Sequence, residues 1–253
     1  MIPLRDNIRA ASRPVVTYAL IGLNLAVFAY EFLLGPAGAD FLYTFGLVPA
    51  RLLRGELGDP VTWLPVLTSM FLHAGLLHVA GNMLFLWVFG DNVEDRMGKP
   101  VYLAFYLIAG LVAAAAQVAL APGSRIPIVG ASGAVAGVLG AYIVLYPRAR
   151  VLTLVPIFVF IQFMELPAFV VLGLWFLLQF ANGWLVLAAG EGGGGGVAWW
   201  AHIGGFALGL VAGGLTRLLT DEPDRPDMYR APYRRRVGLF GEGTPVPRDP
   251  RWP

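Results

Sequence analysis

Long apolar runs alternate with short polar segments along most of this 253-residue chain. A helix needs about 20 apolar residues to cross the hydrocarbon core of a bilayer. The runs that approach this length are Val15–Leu34, Leu76–Val93, Val101–Leu120, Gly130–Tyr146, Pro167–Leu187 and Ala198–Leu218. The first run is longer than the apolar part of a signal peptide, which favours an uncleaved span. The pattern predicts an all-α integral membrane protein with six transmembrane helices.

The segments outside these runs are more polar or are broken by proline. Residues 36–75 hold four prolines and five charges, and we expect a long ordered loop with short interfacial helices. Residues 151–189 are too long for one span and are interrupted by Glu165 and Pro167. We therefore interpret Val151–Met164 as an interfacial or re-entrant segment. The predicted regions are a cytoplasmic arm at 1–14, a membrane domain at 15–219 and a disordered cytoplasmic tail at 220–253.

The distribution of basic residues predicts the orientation of the chain. With the N-terminus inside, fifteen of the 18 Arg and Lys residues fall in inner segments or the tail. The outer loops keep only Arg51, Arg54 and Arg125. This asymmetry follows the positive-inside rule and places both termini in the cytoplasm. The arginines of the tail are suited to contact anionic lipid headgroups.

Composition narrows the classes of function. The chain is 57% hydrophobic and 13% charged, about half the charged fraction of a soluble protein. It has no cysteine, which excludes disulfide scaffolds, cysteine proteases and thiolate metal sites. A net charge of +2 gives no support for nucleic acid as a partner. A zinc site on His73, His78 and His202 lacks the usual spacing and a nearby carboxylate base, so we expect no metal and no cofactor.

Polar residues at the start of two spans are candidates for chemistry. His78 and Asn82 are four residues apart, so they lie on one helix face, where hydrogen bonding between helices is the simplest explanation. Ser132 lies between Gly130 and Gly133, which leave its backbone unobstructed. Its run has only 17 residues, so we expect the helix N-terminus, with its free N–H groups, below the membrane surface.

His202 begins the last span, ahead of a row of glycines at positions 205, 209 and 213 that favours close helix packing. Ser132 and His202 share a membrane side if their helices run parallel, which the single span between them requires. A serine beside a histidine in a wet intramembrane pocket is the minimal nucleophile–base pair. His78 and Asn82 would then donate hydrogen bonds to the oxyanion. No Asp or Glu lies near His202 in sequence, so packing must hold its ring.

Four motifs in this order resemble the rhomboid intramembrane serine proteases in their six-span bacterial form. The resemblance covers residues 15–219. It depends on all four motifs, since Gly-x-Ser-Gly alone would be a weak signal. The motifs are His73–Met83, Gly90–Asp95, Gly130–Gly133 and Ala201–Gly205. The resemblance implies a rhomboid-like bundle of six helices.

The resemblance implies a role for each matched site residue. Ser132 corresponds to the nucleophile and His202 to its general base, in a dyad without an acid. His78 and Asn82 correspond to the side-chain donors to the oxyanion, together with the backbone N–H of Ser132. We therefore expect a serine endopeptidase.

Two further residues have implied structural roles, and one position departs from the family pattern. Glu94 corresponds to a hydrogen-bonding carboxylate, and His73 to a histidine of the outer loop. Some members stack an aromatic residue on the base histidine, four positions after the serine, where this chain has Ala136. Trp199 and Trp200 are candidates to hold His202 instead.

The resemblance also implies the substrate and the location. We expect single-pass transmembrane proteins as substrates, cut near the outer end of their membrane segment by a site that opens to the extracytoplasmic side of the cell membrane. Because a helix bonds its carbonyls internally, the substrate must unwind before attack. The Gly192–Gly196 run is interpreted either as a flexible linker or as a mobile cap, with the fifth span as a gate.

Two other functions remain as alternatives. A transporter or channel would distribute polar residues along a pore and often show an internal repeat, whereas the polar residues here cluster near one membrane face. A catalytically weak rhomboid-like protein that binds membrane clients would be expected to lack Ser132 or His202, and this chain has both.

Overall fold

The computed structural model of the chain describes residues 1–55, 59–157, 160–188 and 197–220. Nine α-helices account for most of these residues, with two short 3₁₀ turns at Gly35–Ala37 and Ser69–Phe71. The helices are α1 (Val15–Leu33), α2 (Gly38–Phe45), α3 (Pro49–Leu52), α4 (Pro60–Thr68), α5 (Leu76–Met97), α6 (Lys99–Leu120), α7 (Ser132–Leu145), α8 (Ala168–Ala188) and α9 (Trp199–Leu219). This mostly helical architecture confirms the predicted class of membrane protein, and short helices occupy the 36–75 region as expected.

Five helices in the described part of the chain are long and apolar enough to span a membrane: α1, α5, α6, α8 and α9. The remaining predicted run, Gly130–Tyr146, forms α7, which has only 14 residues. At a rise of 1.5 Å per residue it is about 21 Å long, shorter than the hydrocarbon core. Eleven of its residues are buried, so α7 is surrounded by other helices. The count of six spans and the cytoplasmic termini stay predictions.

Glycines bring α7 and α9 together until their backbones touch. A Cβ atom on Gly205 would lie 2.0 Å from the carbonyl oxygen of Gly133, and one on Gly209 would lie 2.0 Å from that of Gly137. Both contacts advance by four residues in the same direction along the two helices, which are therefore parallel. Gly213 continues the row against Ala141, where a Cβ would lie 2.9 Å from the backbone. We call this glycine contact the α7–α9 seam.

A three-stranded antiparallel sheet accompanies the helices. Its strands, in spatial order, are β1 (Ile2–Asp6), β2 (Arg150–Ile157) and β3 (Phe160–Pro167). The pairing joins the N-terminal arm to a segment about 150 residues further along the chain, with Ile2 opposite Leu154. Such non-local pairing leaves no periodic signal in either segment, and the sequence pattern did not indicate it.

The stretch before α8 belongs to the sheet. Val151–Met164, expected as an interfacial or re-entrant segment, pairs as a hairpin in which Val151 lies opposite Leu166. Glu165 and Pro167 end β3, and the helix begins at Ala168, one residue later than expected. The prolines at 156 and 167 and the runs of consecutive apolar residues hide the alternation that normally marks a strand.

The N-terminal arm is attached to the helix bundle by polar contacts. The Asp6 carboxylate accepts hydrogen bonds from the Asn92 side-chain amide at 2.7 Å and from the Tyr142 hydroxyl. Asn92 lies near the end of α5 and Tyr142 near the end of α7. The sheet therefore lies at the C-terminal end of α7, opposite the end that carries Ser132.

Glu94 caps the first long helix. Its carboxylate accepts the backbone N–H groups of Val16 and Thr17 at 3.0 and 2.8 Å, and the Thr17 hydroxyl at 2.8 Å. These are orphan donors of the first turn of α1, which no residue of that helix satisfies. The geometry agrees with the structural role expected for this carboxylate, which is buried.

Candidate active site

The predicted serine and histidine meet at the N-terminal ends of two parallel helices. Ser132 is the first residue of α7, and His202 lies in the first turn of α9. The Oγ atom of Ser132 lies 2.8 Å from Nε2 of His202, within hydrogen-bond distance. The α7–α9 seam fixes this proximity, because the contact of Gly133 with Gly205 begins one residue after the serine and three after the histidine.

Gly130 shapes the approach to Ser132. Its φ of +127° belongs to a region that residues with a side chain rarely adopt. A Cβ atom there would also lie 2.8 Å from the ring of His78 and 3.5 Å from Nδ2 of Asn82. Its own N–H donates to the carbonyl of Ser69 at 2.8 Å. The absence of a side chain thus lets the two predicted oxyanion donors lie against the backbone that leads into the serine.

His73 orients the amide of Asn82. The Nδ2 group of Asn82 lies 3.0 Å from Nε2 of His73, and an amide nitrogen only donates, so this ring nitrogen accepts. Burial lowers the pKa of His73 to about 4, with a further contribution from nearby His78. The ring is therefore neutral at physiological pH, and its Nε2 keeps the lone pair that this bond needs. The backbone N–H of His73 donates to the buried carboxylate of Glu31 at 3.2 Å.

All four predicted site residues line one cavity of about 460 Å³. It is lined by the start of α5, the end of α6, the loop before α7, one face of α7, the first turn of α9 and residues of α8. Its remaining walls are largely apolar, including Trp175 and Trp199. A concave, mostly apolar cavity with a few converging polar groups is the usual form of a ligand site.

Two α8 side chains and one α9 side chain hold the ring of His202. The Oε1 atom of Gln179 lies 2.7 Å from Nδ1 of His202. The Trp175 ring lies 5.7 Å from the imidazole, centroid to centroid, and the Trp199 ring 6.4 Å in an edge-on arrangement. Trp199, a candidate from the sequence, thus contacts the ring. The other candidate, Trp200, contacts Phe180 instead, at 6.5 Å.

The sequence reasoning did not identify Gln179. A signal was available, because a polar residue in an apolar span is costly and was the reason for singling out His78 and Asn82. Gln117 of α6 was missed in the same way. Its Oε1 accepts the backbone N–H groups of Trp200 and Ala201 at 3.1 and 3.2 Å, which caps α9 just before His202.

No metal centre is evident in the parts of the chain that the structure describes. Within them, no group of three or more His, Asp or Glu side chains is arranged to hold an ion. The Gly192–Gly196 run, for which a cap was suggested, lies outside the described residues, as do residues 221–253.

The fold and the site define a class of protein: a helical membrane protein with a serine–histidine pair inside the bundle. A family model, the Rhomboid domain, matches residues 60–218, well over half of the chain. The chain belongs to the rhomboid family.

Individual relatives match over shorter segments. The chain is 37% identical over 134 residues to Rhomboid protease GluP of Bacillus subtilis, covering 51% of this chain and 24% of the relative. It is 30% identical over 144 residues to the mitochondrial Rhomboid protein 1 of Saccharomyces cerevisiae, covering 55% and 39%. It is 35% identical over 99 residues to the mitochondrial Presenilin-associated rhomboid-like protein of Homo sapiens, covering 38% and 26%. The match thus spans well under half the length of each relative, and mitochondrial proteins are among them.

Proposed function

We propose that this chain is an intramembrane serine endopeptidase that cuts single-pass membrane proteins near the outer end of their transmembrane segment. The observation that carries the proposal is the 2.8 Å contact between Ser132 Oγ and His202 Nε2 inside the cavity. Membership of the rhomboid family and the similarity to a rhomboid protease support it.

The proposed reaction begins with proton transfer from the serine to the histidine. As Ser132 Oγ attacks the scissile carbonyl carbon, its proton passes to Nε2 of His202, which acts as general base. The carbonyl oxygen becomes an oxyanion in a tetrahedral intermediate. Collapse of this intermediate breaks the C–N bond, and His202 returns the proton to the leaving amine. Water then attacks the acyl carbon and gives a proton to His202, the ester bond to Ser132 Oγ breaks, and His202 returns the proton to Oγ.

Three groups around Gly130 are suited to stabilise the oxyanion. The N–H of Ser132 is one of the first amides of α7, which lack partners within the helix. The His78 ring and the Asn82 amide lie close to Gly130. Because His73 takes one hydrogen of the Asn82 amide, the second remains for the cavity. Donors held in place before the reaction stabilise developing charge without reorganisation.

The position of the sheet supports the proposed direction of the site. The N-terminal arm, which contains Arg5 and Arg9, lies at the opposite end of α7 from Ser132. If the arginine-rich arm is cytoplasmic, as the positive-inside rule predicts, the cavity opens toward the outer face. A substrate helix must unwind there, so we expect helix-breaking residues near the cut and a small residue before it.

Cleavage of a generic single-pass substrate in proteoliposomes tests the proposal. The parent protein should cleave it, whereas Ser132→Ala and His202→Ala should not. Asn82→Ala should lower kcat about 10²- to 10³-fold, as expected for loss of one oxyanion donor. Thermal unfolding of each variant in detergent controls for misfolding.

Two outcomes would contradict the proposal. Cleavage that survives in both Ser132→Ala and His202→Ala would exclude the dyad. Absence of cleavage by the parent across a panel of substrates, with substrate still co-purifying, would favour a protein that binds membrane clients.

A further inference from the structure

We propose that Gln179 is a positioning residue that holds His202 in the tautomer and orientation needed to accept the serine proton. The inference rests on the proposed protease function. Gln179 lies on α8, near the middle of the helix, and does not contact Ser132 or the reacting atoms. Its effect would be exerted through the imidazole ring.

The contact between Gln179 and His202 determines which ring nitrogen carries the proton. An amide oxygen only accepts hydrogen bonds, so Nδ1 of His202, 2.7 Å from Oε1, must donate. In a neutral imidazole the other nitrogen then carries the lone pair. That nitrogen, Nε2, lies 2.8 Å from Ser132 Oγ and is left free to accept the serine proton. The opposite tautomer would direct an N–H at the serine and could not act as a base.

Burial of Gln179 is unusual for its helix. The other buried residues of α8 are apolar or glycine: Ala168, Val171, Leu172 and Gly183. Gln179 is 9% exposed, and its partner His202 is 8% exposed. An amide withdrawn from solvent in an apolar helix costs free energy unless it is hydrogen-bonded. A packing role alone would be met at lower cost by leucine or methionine.

Trp175 lies one turn before Gln179, so both side chains project from the same face of α8 toward His202. Ala136 of α7 is fully buried and has no ring, so it gives His202 no aromatic contact. Trp175 and Gln179 support the imidazole ring from α8 instead. The imidazole thus has a tilted aromatic ring beside it and an acceptor at Nδ1, both from α8. This arrangement replaces the orienting carboxylate of a triad with a neutral amide.

Two substitutions at position 179 separate hydrogen bonding from packing. Gln179→Met keeps the length of the side chain and removes the acceptor, whereas Gln179→Glu keeps an acceptor at the same place. Asn182→Leu is the matched control, because Asn182 lies on α8 but bonds the carbonyl of Leu178 in its own helix. Thermal unfolding of all three in detergent, as full chains, identifies any variant that is misfolded.

Two measurements on proteoliposomes report on the dyad. The first is kcat and KM for a transmembrane substrate. The second is the rate at which a small fluorophosphonate labels Ser132, where Oγ bonds to phosphorus, fluoride leaves and the proton passes to His202. We expect Gln179→Met to lower kcat and the labelling rate by similar factors, about tenfold to hundredfold, since slight misplacement of a catalytic group has effects of this size. KM should change little, Gln179→Glu should recover most of the activity, and Asn182→Leu should match the parent.

Several results would overturn the inference while leaving the proposed function intact. They are unchanged kcat and labelling in Gln179→Met, a loss of substrate cleavage without a loss of labelling, and a Gln179→Glu variant that is as stable as the parent but no more active than Gln179→Met. The second result would indicate that α8 acts on substrate entry. A parent protein that neither cleaves substrate nor reacts with the fluorophosphonate would overturn the proposed function, and this inference with it.

Discussion

The α7–α9 seam and α8 contribute to the same site in opposite ways. The seam brings backbone against backbone, with no room for a single Cβ atom at Gly205 or Gly209. α8 lies at the edge of the bundle. In its most apolar stretch 17% of the residues are buried, compared with 44% in that of α5. Long side chains such as Leu177 and Leu185 project outward from it and are exposed. The seam is therefore a rigid contact, while α8 is attached mainly through a few side chains.

This difference separates two requirements of a serine–histidine pair. The distance between the helices that carry Ser132 and His202 is set by the seam, which cannot widen without losing close packing along several turns. The orientation of the imidazole depends mainly on Gln179 and Trp175 of α8, with the Trp199 ring of α9 edge-on to it. A displacement of α8 would leave the two residues adjacent but remove the acceptor at Nδ1. Proximity and orientation thus depend on different helices.

The largest effect should come from adding one methyl group to the seam. In Gly205→Ala the new Cβ meets the carbonyl oxygen of Gly133 at 2.0 Å, so α7 and α9 must separate. Because a displacement of about 1 Å in the catalytic groups can cost about 10²-fold, cleavage should fall at least that far. The melting temperature should fall as well.

Two alanines in open space are the controls for this variant. Gly214→Ala on α9 and Gly173→Ala on α8 would meet no atom within 4 Å. Both should cleave substrate at the parent rate. Equal activity in Gly205→Ala and Gly214→Ala would show that the seam does not hold the site together.

A leucine on each side of the comparison should differ in its contribution to stability. Leu139 of α7 is fully buried, whereas Leu178 of α8 is 54% exposed. Leu139→Ala should lower the free energy of unfolding by about 2–5 kcal/mol, the range for buried leucines. Leu178→Ala should stay within about 0.5 kcal/mol of the parent, as surface substitutions usually do. Reversible denaturation in mixed micelles measures both, and equal losses would contradict the peripheral position of α8.

The smallest effect should come from the aromatic contact on α8. Trp175→Leu removes the ring 5.7 Å from His202 but leaves the Gln179 hydrogen bond. Because aromatic contacts contribute about 0.5–1.5 kcal/mol, fluorophosphonate labelling of Ser132 should slow by about threefold to tenfold. The control is Trp184→Leu, on an exposed part of the same helix. A slowing larger than that of Gln179→Met would make the ring, and not the amide, the main support of His202.

Much of the candidate site could be predicted because its residues break the apolar pattern of the spans. Ser132, His202, His78 and Asn82 were identified in this way, and the structure brings all four to one cavity. The glycine row of α9 predicted close packing, and the seam is that contact. The cleavage assay tests the catalytic roles predicted for these four residues.

Other features could not be predicted because they depend on partners distant in the chain. Gln179 has the same signature as Asn82, but nothing near it in sequence indicates that it faces His202, 23 residues later and on another helix. The pairing of β1 with β2 likewise joins segments that carry no shared pattern. Both are contacts between elements whose relative placement the local sequence does not encode.

By itself the sequence determined that this is a helical membrane protein. It also determined approximately where the helices run and which polar residues they carry. The reason is that burial in lipid imposes long apolar runs that can be counted. Only the tertiary structure decided that α7 lies within the bundle, that the arm pairs with a hairpin, and that an amide from α8 reaches Nδ1 of His202. The physical reason is the distance along the chain over which each signal acts. Hydropathy and helix periodicity act over a few turns, whereas a hydrogen bond between two side chains requires both helices to be in place.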